Sequence, residues 1–204
     1  MDLLGRLQLH TGAPARCWRP EKGGCTTDWV EALAVEGEGL GRSRGGLTSK
    51  IHLAVDGRGL PMSILVTPGQ AGDNPELLPL LDQVNVRPAW GGRPRRRPRR
   101  VIADKAYSHP VTRRALRRRG ISFTCPERSD QIARRKAKGP AGGRPPAFDK
   151  DIYKKRNVVE RCFGRLKQFR GLATRYAKRV AYYRAEVVIA TIAIWLRHHS
   201  QDTP

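Results

Sequence analysis

Two apolar runs flanking a tight turn constrain this chain more than any other feature. Residues 50–55 (KIHLAV) set Ile51, Leu53 and Val55 at alternate positions, and residues 61–67 (PMSILVT) follow after Asp56-Gly57-Arg58-Gly59. Alternation with a period of two lines up one face of a strand. An Asp-Gly turn between two such runs signals an antiparallel hairpin. A hairpin alone is marginal in water, so the rest of the chain must cover it. Asp73 or Asn74, then Pro75 and Glu76, predicts a helix start, with Leu77, Leu78, Leu80 and Leu81 supplying its buried side. Residues 100–103 read as a short strand ending at Asp104, about 109–119 as a basic helix stopped by Gly120, and 121–124 as another strand. Further helices are expected from 149 to about 170 and from about 180 to 199. Residues 1–30 show no sustained period, although Asp28 with Glu31 could cap a short helix through Leu33. Residues 37–46, 88–100 and 126–147 read as loops, the last one long enough to be functional or unfolded. The order describes a mixed α/β fold with one central sheet.

Charge narrows the partners. The 204 residues carry 40 Lys and Arg against 18 Asp and Glu, a net charge of +22. Residues 1–50 contribute +1, residues 51–92 contribute −2 and residues 93–204 contribute +23. A polyanionic partner is implied, with nucleic acid the first choice. The basic runs at 93–100 and 134–144 are either solvated loops or phosphate contacts, the second being favoured by this concentration of charge. Arg113, Arg114, Arg117, Arg118 and Arg119 make one helix strongly basic. The four cysteines, Cys17, Cys25, Cys125 and Cys162, are scattered without a CxxC or HxxxH pair, which excludes a disulfide scaffold and gives no zinc signature. The longest apolar stretch, 187–196, is too short to cross a bilayer, which takes roughly 20 residues. A cytoplasmic setting is expected.

Two acidic residues stand where chemistry could sit. Asp104 ends the apolar run VIAD, at the sheet end where ligands commonly bind in α/β folds. Taken alone it is better explained as a turn or helix cap. Glu160 lies in a helix whose apolar stripe is Ile152, Val159, Cys162, Phe163 and Leu166. Tyr153, Arg156, Glu160 and Lys167 share a neighbouring face. The plain reading there is an Arg156–Glu160 ion pair on a solvated surface.

Taken together, the spacing Tyr153-x2-Arg156-x3-Glu160-x6-Lys167, ADKAY around Asp104, GRSRGGLTSKIHLAVD at 41–56 and ILVTPGQAGDN at 64–74 resemble the bacterial insertion-sequence DDE transposases. The match is to the group usually numbered five, within the broader group-four-like DDE domains, over about residues 39–197. The resemblance implies an RNase H-like mixed sheet flanked by helices. It implies metal-dependent hydrolysis and strand transfer of phosphodiesters at insertion-sequence ends, with Mg2+ or Mn2+, two ions in an intact member, held by acidic residues. Asp104 and Glu160 would be the catalytic metal ligands. Tyr153, Arg156, Lys167, Arg42, Arg44 and Lys105 would contact double-stranded DNA at transposon ends or target. A homodimer would hold two ends in synapsis, in the bacterial nucleoid.

The resemblance fails at the first aspartate, which relatives carry on the first strand in a segment resembling V-D-S-T. The corresponding stretch here, GRLQLHTGAPARCWRPEKGG, contains none. Asp2 and Asp28 lack strand context. Asp56 would lie at the wrong end of its strand if the first strand pairs antiparallel with 50–55, and Asp73 is better explained as a helix cap. The expectation is a divergent, poorly structured segment at 1–38, a DDE domain at 39–199 whose first strand is incomplete or missing, and a tail at 200–204. Truncation or a shifted reading frame would explain such a copy. Little strand transfer is expected from it, and the alternative is a non-catalytic basic DNA-binding protein.

Overall fold

The expected hairpin forms, and it is longer than its signal. In the computed structural model, which describes residues 6–11, 15–16, 39–43, 46–88 and 90–201, the strands are β1 (Arg6–Thr11), β2 (Ala15–Arg16), β3 (Gly41–Ser43), β4 (Gly46–Val55), β5 (Pro61–Pro68), β6 (Arg100–Ala103) and β7 (Ser122–Thr124). β4 and β5 pair antiparallel from Ser49↔Pro68 to Val55↔Pro61, with an irregularity between Ala54 and Val55. The turn closes because the Asp56 carboxylate accepts the backbone N–H groups of Arg58 and Leu60 at 2.9 and 2.8 Å. Gly59 turns there with φ +90, where a Cβ would press on Val158 and Arg165. Asp56 is therefore spent on the turn, as its position at the strand end suggested.

β1 lies at the middle of the sheet. It pairs antiparallel with β4, from Gln8↔Val55 to Thr11↔His52, and parallel with β6, from Arg6↔Arg100 to Leu9↔Ala103. β6 in turn pairs parallel with β7. The order β5-β4-β1-β6-β7 thus joins an antiparallel side to a parallel side. The parallel side needs crossovers, which the helices supply. The first strand was expected to be incomplete or missing. A six-residue strand occupies that place, and what its sequence RLQLHT lacks is an acidic residue.

Helices cover both faces. α1 (Leu77–Asp82) and α2 (Pro110–Arg118) enclose Ala54, Val101 and Ala103 with Leu77, Leu80, Leu81 and Leu116. On the other face, α5 (Asn157–Lys167), α6 (Arg170–Thr174) and α7 (Val180–Gln201) pack Val159, Cys162, Phe163, Leu166, Leu172, Tyr183, Val187 and Ile194 against Leu53 and Val55. Successive residues 53, 54 and 55 thus serve opposite layers, as the pleat requires. Between these helices lie α3 (Ser129–Ala137) and α4 (Lys150–Lys154).

Three expectations change. The basic stretch at 126–147 is not all loop. Its first half is α3, held by Ser108 donating to Gln131 at 3.0 Å and by a two-pronged ion pair of Arg135 with Glu127 at 2.7 and 2.8 Å. The helix expected from 149 to about 170 is split at Lys155–Arg156 into α4 and α5. Asp149 does cap α4, accepting the Ile152 N–H at 3.0 Å. Asp73 does not cap with its side chain. It pairs instead with Lys50 Nζ at 3.0 Å, while Asn74 accepts from Thr112 at 2.8 Å. Asp28, Glu31, Arg44, Asp2, Cys17 and Cys25 lie outside the described residues.

His52 makes the sheet sensitive to acid. It is fully buried, with Nε2 at 2.8 Å from Thr67 Oγ1 and Nδ1 without a partner. Burial pushes its pKa down to about 4 from 6.5, against the opposing pull of Asp73 and with a small push from Lys50. The unfolded chain takes up this proton first. The stabilisation is therefore complete above the unfolded value of 6.5 and is lost as pH falls toward about 4. The full loss is about 3 kcal/mol. Urea midpoints measured across that window should fall steeply for the parent chain and less steeply for His52→Gln. Equal slopes would assign the effect to other groups.

Candidate functional site

Asp104 follows β6 directly, with an extended backbone, and its carboxylate accepts the N–H of Lys105 at the start of a 3-10 turn at Lys105–Tyr107. The cap reading of this residue is thus realised, without removing the carboxylate from the sheet end. Behind it, the Cys125 thiol donates to the Asp104 carbonyl at 3.1 Å. Burial pushes that thiol up to about 12, with Arg113 opposing and Asp104 adding to the rise, so it remains protonated. Sequence reasoning gave Cys125 no role, because nothing in its spacing ties it to Asp104.

Glu160 sits in the first turn of α5 and is exposed, while Val159, Cys162, Phe163 and Leu166 take the buried side. Its carboxylate pairs with Arg156 Nη2 at 2.6 Å. Arg156 stands at the break between α4 and α5, and its other terminal nitrogen is buried without a partner. The guanidinium also lies 5.7 Å from the Tyr153 ring centre. Tyr153 leans on Phe148, their ring centres 5.2 Å apart, a neighbour that no spacing in the sequence points to.

Tyr153 lies within electrostatic reach of both acids. Its phenol is pushed up, first by burial, and then, with Arg156 opposing, by Asp104, Cys125 and Glu160. Asp104 and Glu160 are 56 residues apart in sequence, yet the charges of both bear on the same phenol, after burial and Arg156. Lys105 is exposed next to Asp104. Lys167 is exposed on α5, two turns or about 10 Å beyond Glu160. Arg42 is exposed on β3, which pairs with the start of β4, at the sheet end where β1 and β6 finish. Arg44 lies outside the described residues.

The chain's own match decides the family. Residues 24–196 fit the model of the transposase DDE domain. The chain belongs to the transposase DDE domain family. It is 34% identical over 137 residues to the transposase ascribed to insertion sequence element IS402 of Burkholderia cepacia, covering 67% of this chain and 57% of that protein. It is 31% identical over 151 residues to the one ascribed to element IS6501 of Brucella ovis, covering 74% of this chain and all of that protein. The chain thus spans a little over half the length of the first relative and the whole of the second.

DDE transposases work with divalent metal ions, which sets a test for this donor set. Among the described residues, no group of three His, Cys, Asp or Glu side chains is placed to hold a metal. Asp104 and Glu160 are two oxygen donors, and Glu160 is already neutralised by Arg156. β1, the strand beside β6, carries no acid from Arg6 to Thr11. Two carboxylates do not make a two-metal site, and the described residues do not by themselves fit one.

Proposed function

We propose that this chain is the DNA-engaging domain of an insertion-sequence transposase, RNase H-like in fold, with two of the three acids such a site needs. It binds double-stranded DNA and carries out little strand transfer. The observation behind this reading is the family match over residues 24–196, with Asp104 at the end of β6 and Glu160 on α5 beside a strand with no acid. The central β1, antiparallel to β4 and parallel to β6, supports the RNase H-like assignment. Arg156, Tyr153, Lys105, Lys167, Arg42 and Arg44 are the DNA contacts in this reading. Arg156 would exchange Glu160 for a phosphate oxygen, a charge-assisted bond of similar geometry. A Mg2+ or Mn2+ requirement would apply to an intact site, and synapsis of two ends would require two copies. The setting is the nucleoid, and no helix among the described residues is long and apolar enough to cross a membrane.

The test is nicking of supercoiled DNA in Mg2+ or Mn2+ by the parent chain, Asp104→Ala and Glu160→Ala, with binding measured in parallel. Binding in the micromolar range is expected for all three, and parent nicking no faster than that of the variants. Metal-dependent nicking by the parent that both substitutions abolish would show that two acids suffice and overturn the deficit.

A further inference from the structure

Between Val187 and Leu196, α7 has no charged side. Tyr183, Val187, Ala190 and Ile194 are buried against the sheet. On the opposite side, Tyr182 is 62% exposed, Ile189 64%, Ile192 51% and Leu196 64%. No charged residue occurs from Val187 to Leu196, in a chain of net charge +22. A helix that is apolar all round is normally covered on every side. A contiguous exposed patch of a few hundred Å2 marks an interaction surface.

We propose that this face pairs antiparallel with α7 of a second copy of the chain. The seam is Tyr182, Ala185, Ile189, Ile192, Leu196 and His199. Its steps alternate three and four residues, the 3.5-residue spacing that keeps one stripe facing a partner helix. The stripe is also complementary to itself. A two-fold axis that sets Ile189 against the partner's Ile192 sets Ala185 against the partner's Leu196 and Tyr182 against the partner's His199. Each large residue then meets a smaller one or a β-branched equal, as an isologous contact requires.

Charge selects the same occupant. A nucleic acid finds no cation on this stripe. Two copies of a strongly cationic chain repel elsewhere, and here they can meet with no like charges opposed. The area is sufficient for specificity but not for permanence. Two such stripes would bury roughly 1,000 Å2 in total, the lower bound for a specific interface and the range of weak, reversible dimers. The inference is independent of whether the chain cuts DNA.

Sedimentation equilibrium of the full chain, freed of nucleic acid in high salt, tests it. The parent is expected to show a reversible monomer–dimer equilibrium. Ile189→Glu and Ile192→Lys should each weaken it at least tenfold. Both positions are exposed, so thermal unfolding should be unchanged at protein concentrations low enough for the parent to be monomeric. An equal mixture of the two variants should regain dimer, because the introduced Glu and Lys then face each other. Three results would overturn the proposal: a parent that stays monomeric at every concentration, a dimer indifferent to both substitutions, or a mixture that fails to recover. The first would leave α7 to another segment of this chain or to a different protein. The last would reject the antiparallel register.

Discussion

His10→Asp is expected to raise Mg2+-dependent nicking by at least about a hundredfold over the parent chain. Loss of a residue that merely orients a metal ligand commonly costs 10- to 100-fold, and a missing ligand should cost no less. Position 10 follows from the register. β1 and β6 run parallel, with Leu9 beside Ala103, so one further step sets position 10 beside Asp104. Directly paired positions share a sheet face. An acid there would supply a third carboxylate at the sheet end where Asp104 follows β6. A cost should accompany the gain. Three carboxylates repel one another without a cation, so the variant should melt lower than the parent in chelator. It should then gain more from added Mg2+, because ligands that bind only the folded state stabilise it. His10→Asn, without the charge, should do neither. A folded His10→Asp chain with no Mg2+-dependent rise in melting temperature and no nicking would show that the deficit lies elsewhere.

What the sequence reveals depends on how local each feature is. The hairpin is legible because its alternation and its Asp-Gly turn are contiguous, and the Asp56 hydrogen bonds realise that local chemistry. The Arg100–Ala103 strand and the basic helix after it are legible for the same reason. β1 is not. Its Leu7 and Leu9 alternate cleanly, but what makes RLQLHT a central strand is pairing with residues 52–55 and 100–103, far along the chain. α3 is hidden because its arginines and lysine blur any apolar stripe, while its anchors, Ser108 and Glu127, lie outside it. The site follows the same rule. The spacing of Tyr153, Arg156 and Glu160 is readable as one face, and so is their possible ion pair, which forms at 2.6 Å. The convergence of Asp104 on that face depends on sheet order. Asp73 has the sequence position of a helix cap, yet a partner 23 residues away, Lys50, holds its carboxylate.

Replacing Arg114, Arg117 and Arg118 together with glutamine is expected to weaken DNA binding roughly a hundredfold near physiological salt. The dependence of log affinity on log salt should become shallower by about 3, since each phosphate contact contributes about 0.9 to that slope. The structure sorts the five arginines that looked equivalent in sequence. Arg113 donates to the Cys125 carbonyl at 2.7 Å and to the Ser108 carbonyl at 3.4 Å, and it lies 5.3 Å from the Phe123 ring centre. Arg119 grips both oxygens of Asp82 at 2.6 and 3.3 Å. These two tie α2 to β7 and to the end of α1. Arg114, Arg117 and Arg118 are exposed on the helix that leads away from Asp104. The contrast supplies the control. Arg113→Gln should lower the melting temperature, because it strands buried acceptors, and should change the salt slope far less than the triple substitution. Were the triple variant to keep the parent's slope, the phosphate backbone would have to follow another cationic surface. The arginines of residues 93–100 would then be the next to neutralise.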